Sequence, residues 1–268
     1  MKCMRKILLS TISMVAVASN AAAKDELNAL VWCDHTDPAL IEPFETEHNV
    51  KVNLREYEGT GAALALLEQS RPGDWDVLVI DGIDGFRAVE AGILAPLAVD
   101  ELPTADFFPE VVMAENNSVD GVTYAVTEKF GYNTVSYNSS KVDQSDMEDL
   151  STIWSDKYNG RISIYDYYLP VMGLAAIADA IPTAKSGSSA LDQIGDVLSI
   201  MRSNAASVAG VVAAQTALAT GEVDIVVGGG EWLTAVLAGE RPELTWTIPK
   251  EGAVRWAQSI GVVEGSKN

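Results

Sequence analysis

The feature that most constrains the fold is an alternation of apolar strand patterns with helical patterns near the start of the chain. Asp76–Ile80 carries a continuous apolar run of the kind that lies buried in a parallel sheet. Strand patterns at Ala29–Trp32 and Val50–Tyr57 precede it, and a helical pattern follows each of them, the second at Ala62–Gln69. Strands joined by helical crossovers predict a right-handed α/β unit.

The first helix of this unit has a clear start in the sequence. Asp37 stands directly before Pro38, which is the pattern of an N-cap followed by proline at the first helical position. Leu40, Ile41 and Phe44 then repeat at helical spacing, so we expect them to form the inner face of this helix.

The α/β pattern starts again after a long extended stretch at Gly121–Tyr137. A second unit inserted within the first predicts two lobes, with segments 24–133 and 248–268 in the first lobe and 134–247 in the second. Open α/β sheets bind ligands beyond the carboxyl ends of their strands, so two such lobes would enclose a cleft. The predicted elements of the second part are helices near Met147–Trp154, Val171–Ala180, Ala190–Met201, Val211–Leu218 and Trp232–Ala238, and strands at Arg161–Tyr165, Asp224–Val227, Leu244–Ile248 and Trp256–Val263.

The N-terminus has the pattern of a secretory signal peptide. Basic residues precede an apolar run at Ile7–Ala18, and small residues stand at the positions before Lys24. We therefore expect residues 1–23 to be removed and the mature protein to be soluble and exported. Removal would leave Cys33 as the single cysteine, which excludes an internal disulfide and a zinc-type cysteine spacing.

The charge balance narrows the class of partner. The formal net charge is −20, and nucleic acids and anionic membranes both require basic patches. We therefore expect no nucleic-acid partner. The run Gly228–Gly230 lacks the lysine and hydroxyl residue of a phosphate-binding loop, and we expect neither a cofactor nor a resident metal.

Several short motifs, taken in order, are similar to those of the extracellular solute-binding proteins of ABC importers, and most closely to the spermidine/putrescine-binding branch. The resemblance extends over nearly all of the chain after residue 23. Its carriers are Trp32 with Pro38-Ala-Leu-Ile-Glu-x-Phe44, Val50-Lys-Val-Asn53, Asp76-Val-Leu-Val79, Glu90-Ala-Gly-Ile-Leu94, Phe130-Gly131, Tyr137-Asn138, Ile153-Trp154 with Tyr158 and Gly160, Gly221-Glu-Val-Asp224, and Pro249-Lys-Glu-Gly252 with Trp256.

The resemblance implies a two-lobed periplasmic binding protein of the type II-like α/β fold, which captures a small amine-bearing solute and presents it to an inner-membrane permease. It implies that Trp32 and Trp256 stack on the ligand, since a cation over an indole face gains about 0.5–2 kcal/mol. We expect a monomer without catalytic activity. The expected ligand-binding residues are Trp32, Asp34, His35, Asp81, Phe130, Asp166, Tyr167, Glu231, Trp256 and Gln258.

The sequence departs from that branch at positions that matter for specificity. Where polyamine binders carry acidic residues, this chain has Tyr167, Pro170 and Gln258. Asp34, Asp81, Asp166 and Glu231 are the remaining candidates for pairing with ammonium groups. The family also continues with helices that pack on the first lobe, so we expect this sequence to be a fragment or the lobe to be incomplete.

Three alternatives stay open at this point. A zwitterionic or anionic solute would be read by Lys129 or Arg255. Ferric ion would use His35 with the pair Tyr167-Tyr168, since hard oxygen ligands suit it. A hydrolase would use Cys33 as nucleophile and would need a base within reach.

Overall fold

The computed structural model describes residues 25–102, 104–109, 112, 114–181 and 188–268. The predicted signal peptide lies outside these residues. The strands are β1 (Asp25–Trp32), β2 (Val50–Tyr57), β3 (Val77–Asp81), β4 (Ser118–Val119), β5 (Val122–Thr123), β6 (Val126–Asn138), β7 (Ile162–Tyr165), β8 (Ala205–Ala209), β9 (Ile225–Gly229), β10 (Leu244–Thr247) and β11 (Val254–Val262). The helices are α1 (Pro38–His48), α2 (Thr60–Glu68), α3 (Gly85–Glu90), α4 (Ala114–Asn117), α5 (Gln144–Met147), α6 (Leu150–Ile153), α7 (Tyr168–Ala178), α8 (Ser188–Asn204), α9 (Val211–Thr220) and α10 (Glu231–Ala235).

One strand connects two groups of strands. β6 pairs with β11 up to Asn133 and with β9 from Thr134 onward. On one side of this change the strand order is β2-β1-β3-β11-β6, and on the other it is β6-β9-β7-β8, with β10 also on β6. We call the first group with its helices the first lobe and the second group with its helices the second lobe. A short hairpin, β4 with β5, stands apart from both.

The first lobe has the parallel core that the sequence predicts. β1 pairs in parallel with β2 and with β3, and helices form the crossovers. Leu30, Leu78 and Ile80 are fully buried, as expected for strands covered on both faces. β11 then adds to β3 in antiparallel direction and places Gln258 opposite Asp81.

Each lobe has its own apolar core. The first-lobe core gathers around β1, β3 and α2. In the second lobe, Met147, Leu150 and Leu174 are fully buried in a core between α7 and the sheet. A smaller cluster joins α9, β9 and α10. The two cores are separate clusters, and single side chains from the opposite lobe pack against each, Tyr167 on the first-lobe core and Val254 on the second-lobe core.

The start of α1 is confirmed in detail, and its predicted inner face is wrong. The Asp37 side chain accepts a hydrogen bond from the Ala39 N–H at 2.9 Å. However, Leu40 and Phe44 are 58% and 43% exposed, and no residue of α1 is buried. The Phe44 ring packs on His48 of the same helix instead, with the ring centroids 4.5 Å apart.

Candidate functional site

A cavity of about 300 Å³ lies between the two lobes, at the ends of their strands. Trp32 and Asp81 are the last residues of β1 and β3, and they reach it from the first lobe. Tyr165, the last residue of β7, and Val211, the first of α9, reach it from the second lobe. Carboxyl ends of parallel strands meet at one edge of a sheet, which is why residues distant in sequence converge here.

Aromatic rings form much of the cavity wall. The Trp32 ring lies 4.9 Å from Tyr57 and 5.6 Å from Tyr167, edge-on to the latter. The Tyr165 ring lies 5.8 Å from both Tyr167 and Trp232. Such tilted and edge-on pairs are favourable and fix one another's orientation. The aromatic lining residues are Trp32, Tyr165, Tyr167, Trp232 and Trp256.

The charged part of the lining is acidic. Its carboxylates are Asp34, Glu56 and Asp81, all three from the first lobe. Among the described residues that line the cavity, none is lysine or arginine. The rest of the wall consists of three amides, Asn133, Gln215 and Gln258, four aliphatic side chains, Leu169, Val211, Val212 and Val236, and Cys33. This chemistry suits a cation with an apolar part and does not suit an anion.

Asp81 is the buried member of the acidic group, with 4% of its surface exposed. Burial raises its pKa to about 7, aided by the nearby charge of Asp84 and opposed by hydrogen bonds from Tyr167 and Gln258. The Tyr167 hydroxyl donates to Asp81 Oδ2 and lies 3.3 Å from Thr60 Oγ1. A hydroxyl of the second lobe therefore binds a carboxylate of the first.

Two further polar contacts join the lobes at the cavity rim. The Tyr168 hydroxyl donates to Asp84 Oδ2 at 2.7 Å. Glu58, just after β2, accepts a hydrogen bond from the Val211 N–H at 3.2 Å. This carboxylate lies at the N-terminus of α9, where the helix dipole favours negative charge. The structure thus has its two lobes in direct contact.

A network of four charged side chains lies beside the cavity. His35 contacts Asp34 through Nδ1 at 3.0 Å and Glu128 through Nε2 at 2.9 Å, and Lys129 contacts Asp34 at 2.6 Å. Burial lowers the pKa of His35, but the hydrogen bonds to both carboxylates outweigh it and raise the pKa to about 9. Burial likewise opposes ionisation of Asp34, and the bonds from His35 and Lys129 nevertheless hold its pKa at about 2. Asp34 is therefore already paired.

The Glu231 carboxylate lies behind Trp256, outside the described cavity wall. Glu231 Oε1 accepts a hydrogen bond from the Tyr132 N–H at 2.9 Å, while its Oε2 is buried without a hydrogen-bond partner among the described residues. A Cβ on Gly131 would meet Glu231 Oε1 at 2.2 Å and Trp256 Cζ2 at 2.5 Å. Gly131 thus lets the Trp256 ring and the Glu231 carboxylate lie against the β6 backbone.

The structure brings six of the ten predicted ligand-binding residues to the cavity wall, namely Trp32, Asp34, Asp81, Tyr167, Trp256 and Gln258. It places His35, Phe130, Asp166 and Glu231 outside the described lining. Side chains alternate along an extended chain. Phe130 is therefore on the opposite face of β6 from Asn133, and exposed Asp166 points away between Tyr165 and Tyr167.

Sequence reasoning missed Glu56, Gln215 and Asn133. Glu56 stands one residue before the end of β2, next to Tyr57, which is paired with Trp32. The prediction of Val50–Tyr57 as a strand parallel to β1 contains this information, since the carboxyl ends of neighbouring parallel strands lie at one edge. Gln215, one turn into α9, carries no such signal.

The side chains that a hydrolase or a ferric-ion site would use, Cys33 and His35, are in surroundings that do not favour those roles. Burial raises the pKa of the Cys33 thiol to about 11, with added repulsion from Asp34, Glu58 and Glu56. Both ring nitrogens of His35 contact carboxylates. In the part of the chain that the structure describes, no group of three or more His, Cys, Asp or Glu residues is arranged to hold a metal ion.

The described helices were also compared with the length and hydropathy of a membrane-spanning helix. Over the described ranges, no helix combines the length and the apolar character that crossing a bilayer requires.

Comparison with known proteins agrees with this geometry. The family model of bacterial extracellular solute-binding proteins matches residues 39–268. The spermidine/putrescine-binding periplasmic protein of Salmonella typhimurium is 23% identical over 254 residues, covering 94% of this chain and 71% of that protein. The putrescine/agmatine-binding protein of Pseudomonas aeruginosa is 23% identical over 274 residues, covering 94% of this chain and 73% of its own.

Among solved structures, a spermidine/putrescine ABC transporter chain from Listeria monocytogenes superposes with a TM-score of 0.79 at 22% identity. The match covers 91% of this chain and 74% of that one. The two-lobed periplasmic-binding-protein fold predicted from the sequence is therefore confirmed.

Proposed function

The chain belongs to the family of bacterial extracellular solute-binding proteins, and from this premise we propose that it captures a small amine-bearing, polyamine-like cation in the periplasm for an ABC importer. One observation supports this choice of solute. The cavity between the lobes is walled by five aromatic rings and three carboxylates, and no lysine or arginine stands among its described lining residues.

Each part of this wall has a role that the amine requires. Carboxylates pair with the ammonium group through charge-assisted hydrogen bonds, which are about twice as strong as neutral ones. The faces of Trp32 and Trp256 cover the methylene chain and the cation. The names of the relatives from Salmonella typhimurium and Pseudomonas aeruginosa, both binders of amines, support the same class of solute.

Capture would proceed by closure of the two lobes. We propose 24–133 and 248–268 as the segments of the first lobe and 134–247 as the second, which is supported by the change of β6 partner between Asn133 and Thr134. The solute would enter an open cleft, and the contacts from Tyr167, Tyr168 and Glu58 would form as the lobes meet. The closed monomer would then present both lobes to an inner-membrane permease.

We propose binding without catalysis. A thiol with a pKa near 11 is protonated at neutral pH, and thiolate rather than thiol is the nucleophile. His35 is held by Asp34 and Glu128 and is protonated below pH 9, so it does not serve Cys33 as a base.

Isothermal titration calorimetry tests the proposal directly. The purified protein is titrated with putrescine, spermidine, butylamine and 4-amino-1-butanol, and with succinate as an anion. We expect at least one of the amines to bind with measurable heat, and succinate not to bind. Binding of succinate with no amine binding would contradict the proposal.

A matched pair of variants locates the site. Glu56→Gln removes a lining carboxylate at the end of β2 and should weaken amine binding at least tenfold, since one charge-assisted hydrogen bond is worth about 1.5–3 kcal/mol. Glu47→Gln makes the same chemical change at an exposed position on α1 and should leave the affinity unchanged. Equal affinities of all three proteins would remove Glu56 from the site.

A further inference from the structure

The charge of the cavity wall is unevenly distributed between the lobes. Its three carboxylates, Asp34, Glu56 and Asp81, all belong to the first lobe. The second lobe contributes Tyr165, Tyr167, Trp232, Gln215 and four aliphatic side chains, none of them charged. A bound cation therefore meets opposite charge at one end of the cavity only.

The three carboxylates are also not equally available to a ligand. Asp34 is paired with Lys129 and His35, so its charge is compensated within the protein. Asp81 accepts a hydrogen bond from the Tyr167 hydroxyl, and burial raises its pKa to about 7. Glu56 is exposed and makes no side-chain hydrogen bond or ion pair with the other described residues. The wall thus offers about one uncompensated negative charge.

The second-lobe side of the cavity has no carboxylate among its described lining residues that could pair with a second ammonium group. The Gln215 amide donates to the Leu233 carbonyl at 2.8 Å, and Val211, Val212 and Val236 present hydrocarbon. The Glu58 carboxylate beside Val211 accepts a hydrogen bond from the Val211 N–H and lies outside the described lining. The two second-lobe carboxylates predicted from the sequence both lie outside the described lining: Glu231 lies behind Trp256 against Gly131, and exposed Asp166 points away from the cavity. An ammonium group that lost its water there as the lobes closed would find no free carboxylate among the described lining residues of the second lobe to replace it.

We propose that the solute carries a single ammonium group, held by Glu56 and Asp81 of the first lobe, and an uncharged tail that lies against the second lobe. The inference rests on the proposed capture of an amine-bearing solute and, within that class, replaces a polyamine-like cation by a monoamine. A hydroxyl group on the tail is compatible with the amide and tyrosine side chains of the second lobe. A second charge on the tail is not.

Calorimetry with three matched ligands tests this. 4-Amino-1-butanol and putrescine have the same number of heavy atoms and differ in one terminal group, while butylamine lacks that group. We expect 4-amino-1-butanol and butylamine to bind at least tenfold more tightly than putrescine. Putrescine binding as tightly as the monoamines, or more tightly, would overturn the inference and leave the proposed function standing. Binding of spermidine but of none of these three would overturn the inference alone, and binding of no amine would overturn the proposed function itself.

Charge added to the second lobe should reverse the preference. Val212 lines the cavity in the first turn of α9 and is 56% exposed, so a longer polar side chain fits there without burial. Val212→Glu should shift the ratio of affinities toward putrescine by about tenfold, whereas the uncharged control Val212→Gln should not. An unchanged ratio in Val212→Glu would show that the tail does not meet α9 and would overturn the inference.

The Glu231→Gln variant examines a buried carboxylate that a rearranged cavity could recruit. We expect the ratio of the two affinities to be the same as in the unmodified protein. A drop in putrescine affinity alone would show that Glu231 reaches the ligand and that the solute carries a second charge.

Discussion

Asp81 combines a binding role with a cost in stability. Its carboxyl group is buried at the end of β3, and the pKa is raised from the usual value near 4 to about 7. Below pH 4 the group is protonated in both the folded and the unfolded protein. As the pH rises from 4 to 7, the unfolded chain ionises first, so the folded state loses stability until the pH passes 7.

The variant Asp81→Asn should therefore be more stable than the unmodified protein at pH 8, with a smaller difference at pH 5. The amide can still accept from Tyr167, and it can donate to Gln258 Oε1, which is buried without a partner among the described residues. Urea unfolding at the two pH values measures the difference. The exposed control Asp100→Asn should show no such dependence on pH. A loss of stability in Asp81→Asn that grows from pH 5 to pH 8 would contradict the assignment.

His35 should show the opposite dependence. Its pKa is raised from 6.5 to about 9 by Asp34 and Glu128, so its stabilising effect is full below pH 6.5 and disappears as the pH rises through 9. His35→Gln should lower the free energy of unfolding by about 2 kcal/mol at pH 6, since it loses hydrogen bonds to charged groups, and by less at pH 9.5. His48→Gln on α1 is the control. A loss in His35→Gln that does not depend on pH would show that His35 is neutral.

For single residues, the sequence predicts which ones end a strand better than it predicts the direction in which their side chains point. Trp32 and Asp81 were predicted from the resemblance, both stand at the end of an apolar run, and both line the cavity. Phe130 and Asp166 were selected by resemblance, and alternation along the chain turns both away from it. The pairing of Asp34 with Lys129 joins residues far apart in sequence, so no local pattern could show it.

Among the elements, β6 shapes the site through its glycine. The Trp256 ring and the Glu231 carboxylate occupy the space that a Cβ at Gly131 would need. Gly131→Ala should displace the ring and lower solute affinity at least tenfold, a loss of about 1.4 kcal/mol. Tryptophan fluorescence and calorimetry measure the two effects.

The comparison for this variant is Gly195→Ala in α8. No atom lies within 4 Å of a Cβ built there, and alanine favours a helix over glycine by about 1 kcal/mol. That variant should be slightly more stable and bind the solute normally. Unchanged affinity in Gly131→Ala would mean that Trp256 does not contact the ligand.

Element prediction succeeded where the apolar pattern was long or the cap was explicit. β3 and α1 are examples, and the predicted strand at Leu244–Ile248 is found as β10. β8 was not predicted because Ala205–Ala209 has little apolar side-chain volume, and its place as the edge strand beside β7 depends on tertiary pairing. The predicted helix near Met147–Trp154 is instead two short helices, α5 and α6, since Asp149 caps a new start by accepting from the Ser151 N–H.

The molecule as a whole holds its lobes together by contacts that do not all require a solute. Tyr168 is not part of the described cavity wall, yet its hydroxyl donates to Asp84, which also contacts Arg87 at 3.1 Å. Burial and the bond to Asp84 raise the pKa of the Tyr168 hydroxyl well above its ordinary value, so this bond persists throughout the physiological pH range. Closure therefore contributes free energy that is separate from ligand contacts.

Tyr168→Phe removes this bond and leaves the ring and the cavity wall in place. The closed state should lose about 1–2 kcal/mol of stability relative to the open state. This is the usual contribution of a partly exposed hydrogen bond to a charged group. The unliganded variant should have a larger radius of gyration in small-angle X-ray scattering, and solute should restore the compact form at a concentration up to about thirtyfold higher. Tyr124→Phe in the first lobe, whose hydroxyl makes no hydrogen bond with the described residues, should change neither quantity. If Tyr168→Phe matched the unmodified protein in both, the bond to Asp84 would not stabilise the closed state, and closure would depend on the solute and on other contacts between the lobes, such as those of Tyr167 and Glu58.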